Sequence, residues 1–124
     1  MLANKKKILI VSDDPKLLGV LQGNLPNNCY QVMSSRDSGE ELREVLDEVL
    51  PDLVILDVLM PRLDGIELCL RIRRWCEVPI IMLSSWGAGK DEVRGLDLGA
   101  DGYLSEPFNI DDLMVQIDHT IYHN

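Results

Sequence analysis

The stretch Pro51–Leu68, PDLVILDVLMPRLDGIEL, decides the fold of this chain. It contains the apolar run Leu53–Leu56, which is followed directly by Asp57. An unbroken apolar run of this length predicts a strand that is buried on both faces, as in a parallel sheet covered by helices. Helical spacing of apolar residues then predicts a helix over Gly65–Trp75. The stretch is therefore one strand–helix unit with an acidic residue at the end of its strand.

The same strand–helix pattern continues on both sides of this unit. Further strands are predicted at Ile8–Val11, Tyr30–Met33, Pro79–Leu83 and Gly102–Ser105. Further helices are predicted from Pro15, from a capping box at Ser38 and Glu41 up to Pro51, up to Gly99, and from the cap residue Asn109. Five alternations with short connections predict an α/β fold, in which helices cover both faces of a five-stranded parallel sheet.

The apolar stripes of the predicted helices indicate which residues face the core. They are Leu18, Leu21 and Leu25; Leu42, Val45, Leu46 and Val49; Ile66, Cys69 and Leu70; and Ile110, Leu113, Met114, Ile117 and Ile121.

Length and composition limit the classes of protein to which the chain can belong. Its 124 residues suit one domain, 1–124, with no room for an output domain after the last helix. With 12 basic and 21 acidic residues, the net charge of −9 disfavours direct binding to nucleic acid or to anionic membranes. No apolar run approaches about 18 residues, and the N-terminus has no signal cleavage site. Three cysteines without a C-x-x-C pair indicate reduced, buried thiols and a cytoplasmic location.

Polar side chains follow four of the predicted strands. Asp13 and Asp14 follow the first strand, Asp57 the third, Ser84 the fourth and Glu106 the fifth. The carboxyl ends of parallel strands meet at one edge of the sheet, where ligands of such folds bind. Three aspartates clustered there are costly unless a cation neutralises them, and oxygen ligands suit Mg²⁺ or Mn²⁺. A carboxylate beside such a metal is also a candidate nucleophile towards phosphorus.

Each of these residues also has a purely structural interpretation. Asp14 and Pro15 form a typical helix N-cap and first helical residue. Ser84 is suited to satisfying backbone groups of a loop, and Tyr103 is suited to a half-buried strand. Asp57 is harder to explain in this way, because no turn requires an acidic residue there.

Four stretches, ILIVSDDP, PDLVILDVLMPRLDGIEL, VPIIMLSSW and GLDLGADGYLSEPF, resemble the receiver domain of bacterial two-component response regulators. They cover nearly the whole chain, and the wording LDLGADGYL is most similar to receivers of the winged-helix, DNA-binding subfamily. The resemblance implies a flavodoxin-like (βα)5 three-layer sandwich with strand order 2-1-3-4-5. It also implies a phosphorelay signalling domain that is not an enzyme beyond self-catalysed phosphorylation and dephosphorylation.

The resemblance also implies a role for each matching residue. Asp57 matches the phosphoacceptor, Ser84 the hydroxyl residue that bonds the phosphoryl group, and Tyr103 the aromatic residue that follows this movement. The implied Mg²⁺ ligands are Asp13, Asp14, Asp57 and the main-chain carbonyl of Leu59. The implied partners are a histidine kinase or phosphotransfer protein and a downstream effector protein or output domain.

Glu106 departs from the family pattern, which has a lysine before the proline of the fifth loop. A glutamate there replaces attraction to a phosphoryl group with repulsion, at a cost of about 2–4 kcal/mol for the phosphorylated state. The alternative is therefore a pseudo-receiver that binds partners without phosphorylation. A flavin-binding protein is a third class, and Asp13 and Asp14 argue against it because they would repel the phosphate of the flavin.

Overall fold

A computed structural model describes residues 5–12, 14–26, 29–35, 40–57, 65–84, 101–105 and 109–122. The predicted capping serine Ser38 and the predicted helix up to Gly99 lie outside these residues.

Five strands form one sheet, in which every hydrogen-bonded pair of neighbours is parallel and the order is β2-β1-β3-β4-β5. The strands are β1 (Lys6–Val11), β2 (Tyr30–Ser35), β3 (Leu53–Asp57), β4 (Ile80–Ser84) and β5 (Gly102–Ser105). The predicted fold class, strand number and strand order are confirmed. β5 has the predicted bounds, and the other four strands differ from the predicted ones by one or two residues at one or both ends. As a result, Asp57 and Ser84 are the last residues of their strands.

Helices cover both faces of this sheet. They are α1 (Pro15–Asn24), α2 (Glu40–Val49), α3 (Gly65–Trp75) and α4 (Ile110–Tyr122). One core cluster joins side chains of α2 and α3 to one face, and the other joins side chains of α1 and α4 to the opposite face. Alternate residues of β1 enter different clusters, with Leu9 and Val11 in the first and Ile8 and Ile10 in the second. This arrangement explains the unbroken apolar strands, because both faces of each central strand are buried.

The buried helix faces differ in part from the predicted stripes. In α1, Leu17 is buried with Leu21, whereas Leu18 is half-buried. In α3, Leu68 and Ile72 are buried with Cys69, whereas Leu70 is half-buried. Successive helical residues are about 100° apart, so a small rotation of the helix axis exchanges adjacent apolar residues at the core.

Two of the three predicted N-caps, Asp14 and Asn109, lie in the described residues, and both are confirmed. Asp14 Oδ1 accepts a hydrogen bond from the Lys16 backbone N–H at 2.9 Å, at the start of α1. Asn109 Oδ1 accepts one from the Asp111 N–H at 2.7 Å, at the start of α4.

The C-terminus of α2 has an unusual backbone conformation. Leu50 follows the helix with a φ of 51°, and its N–H donates to Leu46 O at 3.0 Å. A left-handed residue after a helix is common, but glycine or asparagine normally occupies it. The side chain of Leu50 is 72% exposed, so packing does not hold it there. Pro51 follows, and the helix ends before it as predicted.

The three cysteines differ in burial: Cys69 is buried, Cys76 is half-buried and Cys29 is exposed, so the prediction of buried thiols is wrong for Cys29. All three cysteines are free, and Cys69 is buried, which raises the pKa of its thiol. Within the described ranges, no helix has the length and apolarity that crossing a bilayer requires.

Candidate functional site

Asp57 is the centre of the candidate site. It is the last residue of β3, the middle strand of the sheet, and it lies beside Leu83 of β4. Its carboxylate side chain is fully buried, with 0% exposure. A buried carboxylate is costly unless hydrogen bonds or cations compensate its charge. This side chain therefore needs partners at the carboxyl edge of the sheet.

Ser12 supplies one of these partners. Its hydroxyl donates a hydrogen bond to Asp57 Oδ2 at 2.6 Å, and its side chain is also 0% exposed. The residue directly follows β1, and its backbone N–H donates to Ser35 O of β2 at 3.0 Å. The sequence analysis does not include Ser12, because the charged residues that follow it carry the stronger signal. The signal for Ser12 is the strand register: Val11 lies beside Leu56, so continuing the pairing by one residue brings Ser12 next to Asp57.

Asp14 is connected to the same group of atoms. Its backbone N–H donates to Ser12 Oγ at 3.0 Å, so a chain of two hydrogen bonds joins the cap of α1 to the Asp57 carboxylate. The side chain of Asp14 is half-buried and acts as the N-cap of α1. The structural interpretation of Asp14 is therefore confirmed, and its role as a metal ligand stays a prediction.

Ser84 and Tyr103 occupy the neighbouring strands. Ser84 is the last residue of β4, one position beyond the residue paired with Asp57, and it lies beside Ser105. Tyr103 pairs with Met82 and is 9% exposed, which is more buried than the half-buried position predicted for it. The backbone carbonyl of Tyr103 accepts a hydrogen bond from Gln116 Nε2 of α4 at 3.3 Å. A hydrogen bond thus joins β5, the strand that contains Tyr103, to α4.

The remaining predicted site residues, Asp13, Leu59 and Glu106, lie outside the described part of the chain. Among the residues that are described, no group of three His, Cys, Asp or Glu side chains is placed to hold a metal ion. The acidic residues described at this edge are Asp14 and Asp57. Their oxygen atoms are the ligand type that Mg²⁺ prefers, so the donor chemistry fits this ion.

The family model for the response regulator receiver domain matches residues 8–118. The chain therefore belongs to the response regulator receiver domain family, whose members are signalling domains of two-component systems.

Individual relatives agree with this assignment. The "Probable transcriptional regulator ycf27" of Guillardia theta is 41% identical over 116 residues, which are 94% of this chain and 45% of that protein. The alkaline phosphatase synthesis transcriptional regulatory protein PhoP of Bacillus subtilis is 43% identical over 105 residues, 84% of this chain and 43% of that protein. The chain thus spans less than half the length of these two relatives.

A solved structure confirms the fold. The receiver domain of TorR, a response regulator of the TMAO respiratory system, superposes with a TM-score of 0.85 at 28% identity. The alignment covers 95% of this chain and 98% of that one.

Proposed function

We propose that this chain is a phosphoacceptor domain of a two-component phosphorelay that is phosphorylated on Asp57. The observation that carries the proposal is a fully buried carboxylate at the carboxyl end of the central strand, in a chain of this family. The other four residues of β3 are apolar and buried, so Asp57 is the one ionisable side chain of this strand. Buried acidic groups that a fold does not need for stability are concentrated at functional sites.

The proposed reaction is the transfer of a phosphoryl group to this carboxylate. An Asp57 oxygen attacks the phosphorus atom, the bond between phosphorus and the donor's leaving group breaks, and a carboxyl phosphate forms. We propose that Asp13, Asp14, Asp57 and the carbonyl of Leu59 hold Mg²⁺, or Mn²⁺ in its place. The ion would offset the negative charge of the carboxylates and the phosphoryl group. Residues 1–124 would form one such domain.

The proposed output of phosphorylation is a change in the surface near β5 and α4. Ser84 would bond the phosphoryl group, and Tyr103 would respond to its movement. The support is positional: Ser84 ends the strand between those of Asp57 and Tyr103, and Tyr103 is hydrogen-bonded to α4. The partners would be a cytoplasmic histidine kinase or phosphotransfer protein and a downstream effector or output domain. The two longer relatives are named as transcriptional regulators, which supports a transcriptional output.

Intact-protein mass spectrometry after incubation with acetyl phosphate and Mg²⁺ tests this proposal. We expect one phosphoryl adduct on the wild-type chain and none on Asp57→Asn. Asp47→Asn is the matched control, because Asp47 is an exposed carboxylate of α2. An adduct on Asp57→Asn would place the phosphoryl group elsewhere, and no adduct on the wild type would contradict the proposal.

The alternative function, a pseudo-receiver that binds partners without phosphorylation, is favoured by the sequence observation of Glu106. Its test is Glu106→Lys, because this change replaces repulsion of the phosphoryl group with attraction. If the wild type is a pseudo-receiver, only the variant should form the adduct. Glu77→Lys provides the same change of charge at an exposed residue between α3 and β4, so it should leave the result unchanged. An adduct on the wild type would exclude the pseudo-receiver.

A further inference from the structure

Ser12 connects three elements of the fold to the candidate phosphoacceptor. Its backbone is held by β2 through the bond from its N–H to Ser35 O. Its hydroxyl oxygen accepts the N–H of Asp14, at the cap of α1, and donates its proton to Asp57 Oδ2. All of these contacts lie at the carboxyl edge of the sheet, where β1 and β3 end.

The two bonds of the hydroxyl fix the direction of its proton. Ser12 Oγ accepts a hydrogen bond from the backbone amide of Asp14, and its own proton is donated to the Asp57 carboxylate, which acts as the acceptor. Consecutive hydrogen bonds of this kind polarise and strengthen one another in a buried site. The bond to the carboxylate is also short, at 2.6 Å, within the range of charge-assisted O–H···O hydrogen bonds.

We infer that Ser12 is a positioning residue for phosphoryl transfer, which holds the carboxylate of Asp57 in the orientation that presents an oxygen to phosphorus. The inference rests on the proposed function. A nucleophile must lie in line with the bond that breaks, and small displacements of it lower the rate strongly. A neutral hydroxyl provides this orientation without adding negative charge beside the incoming phosphoryl group. Ser12 acts through Asp57, since its hydroxyl donates to that carboxylate.

The test compares Ser12→Ala with Ser12→Thr, which keeps a hydroxyl, by following adduct formation with acetyl phosphate and Mg²⁺. For Ser12→Ala, we expect the rate at saturating acetyl phosphate to fall about tenfold, because the orientation of the nucleophile is lost. The concentration that gives half of the maximal rate should not change. Ser12→Thr should keep a rate within about twofold of the wild type, since the hydroxyl is what orients the carboxylate.

Thr120→Val is the matched control for loss of a buried hydroxyl. Thr120 is 7% exposed and lies two residues beyond Asp118, which contacts Tyr30 at the start of β2, so it is at the opposite edge of the sheet. This variant should phosphorylate at the wild-type rate. A double-mutant cycle of Ser12→Ala and Asp57→Ala, measured by denaturant unfolding, should show non-additive effects, since the two side chains are in contact.

Several results would overturn the inference. They are a wild-type rate in Ser12→Ala, equal losses in Ser12→Ala and Ser12→Thr, an equal loss in Thr120→Val, or additive effects in the cycle. A wild-type chain without an adduct would contradict the proposed function itself, and the role of Ser12 with it. An adduct that forms on the wild type and equally fast on Ser12→Ala would contradict only the role of Ser12.

Discussion

Tyr30 and Asp118 join the start of β2 to the last turns of α4. The tyrosine hydroxyl donates a hydrogen bond to Asp118 Oδ1, and Tyr30 is 4% exposed. Burial of the ring, followed by the hydrogen bond and the negative charge of Asp118, raises the pKa of Tyr30 far above its ordinary value of 10.0. Burial of Tyr30 and its contact with Asp118 together therefore make the free energy of unfolding depend on pH in the alkaline range.

The first prediction concerns that dependence. Below pH 10.0 the hydroxyl is protonated in both the folded and the unfolded chain, so the contact contributes fully. Above that pH the unfolded tyrosine ionises while the folded one keeps its proton, and the free energy of unfolding falls by about 1.4 kcal/mol per pH unit. Tyr30→Phe should remove this part of the loss, as measured by urea unfolding between pH 8 and pH 11 (roughly the range in which tyrosine titrates).

Tyr122→Phe is the matched control for this prediction. Tyr122 is 55% exposed, so its replacement should leave the alkaline loss close to that of the wild type. If the free energy of unfolding depended on pH equally in the wild type and in Tyr30→Phe, the assignment of the alkaline loss to Tyr30 would be wrong.

The individual residues of the site show how far the sequence alone can lead. The sequence identifies Asp57 as a candidate site residue, because an acidic residue directly after a buried apolar run is hard to explain structurally. The sequence does not identify Ser12 as a site residue, because a serine after a strand usually hydrogen-bonds to the backbone of a turn. Its importance depends on a partner 45 residues away, which only the pairing of β1 with β3 reveals.

Among the elements, α2 offers a clear route to higher stability at its C-terminus. Leu50 has a φ of 51°, a conformation that costs a residue other than glycine about 1–2 kcal/mol. Leu50→Gly should therefore raise the free energy of unfolding by about 1 kcal/mol, after the greater freedom of glycine in the unfolded chain is counted. Leu50→Asn should give a smaller gain, and thermal unfolding would measure both.

Leu50→Ala separates the two causes of such a gain. It removes the exposed apolar side chain but keeps the unfavourable backbone conformation. If Leu50→Ala stabilised the domain as much as Leu50→Gly, the removal of apolar surface would be the cause, and not the relief of strain.

Asp101 connects α3, β4 and β5 at the edge of the sheet where β4 and β5 begin. Its Oδ2 accepts hydrogen bonds from Arg73 Nη2 of α3 at 2.8 Å and from the Ile80 N–H at the start of β4 at 2.9 Å. Its own N–H donates to Ile80 O, immediately before β5. Ile80 is fully buried. If the Asp101 carboxylate is removed, the backbone N–H of Ile80 loses this acceptor in the interior of the protein.

We expect Asp101→Ala to lower the free energy of unfolding by about 1–3 kcal/mol, the cost of an unsatisfied buried amide. Asp101→Asn retains an acceptor oxygen and should cost less than Asp101→Ala. Chemical denaturation of the two variants measures the difference. Equal losses would mean that the charge attracting Arg73 matters, and not the acceptor for Ile80.

The positions of the helices and strands were largely predictable, whereas the rotation of the helices was not. Apolar runs and the caps Asp14 and Asn109 determine where elements begin, and these signals are local. Leu18 packs against the core as predicted but is only half-buried, whereas Leu17, which the predicted stripe lacks, is buried. How far each of the two is buried depends on how the whole helix packs, which periodicity alone does not determine.

For the whole molecule, the proposed metal site predicts a specific response to divalent cations. A ligand that binds only the folded state at ten times its Kd stabilises that state by about 1.4 kcal/mol. Mg²⁺ should therefore raise the Tm by several degrees more than NaCl at equal ionic strength. NaCl controls for general screening of the net charge of −9.

Asp57→Asn should reduce the excess stabilisation by Mg²⁺, because it removes one of the proposed ligands. Equal shifts from MgCl₂ and NaCl in the wild-type protein would contradict a metal site at this edge of the sheet. Differential scanning calorimetry would measure both responses.

For the molecule as a whole, the sequence predicted the α/β architecture. The alternation of strands and helices indicated a parallel sheet, and the resemblance to receivers supplied the strand order. The fine geometry at the carboxyl edge was not predictable, because it depends on the side-by-side register of strands that are far apart in the chain.

The strand order has a consequence for how the protein is made. β2, β1 and β3 are neighbours in the sheet, and all three lie within the first 57 residues of the chain. Since a ribosome releases its product from the N-terminus, at about 5–20 residues per second, this half emerges before β4 and β5. We expect the nascent chain to pair these three strands first and to add the other two outward from β3. The contact between Ser12 and Asp57 lies wholly in these first 57 residues, so the proposed phosphoacceptor would be in place before the strands proposed to respond to it are synthesised.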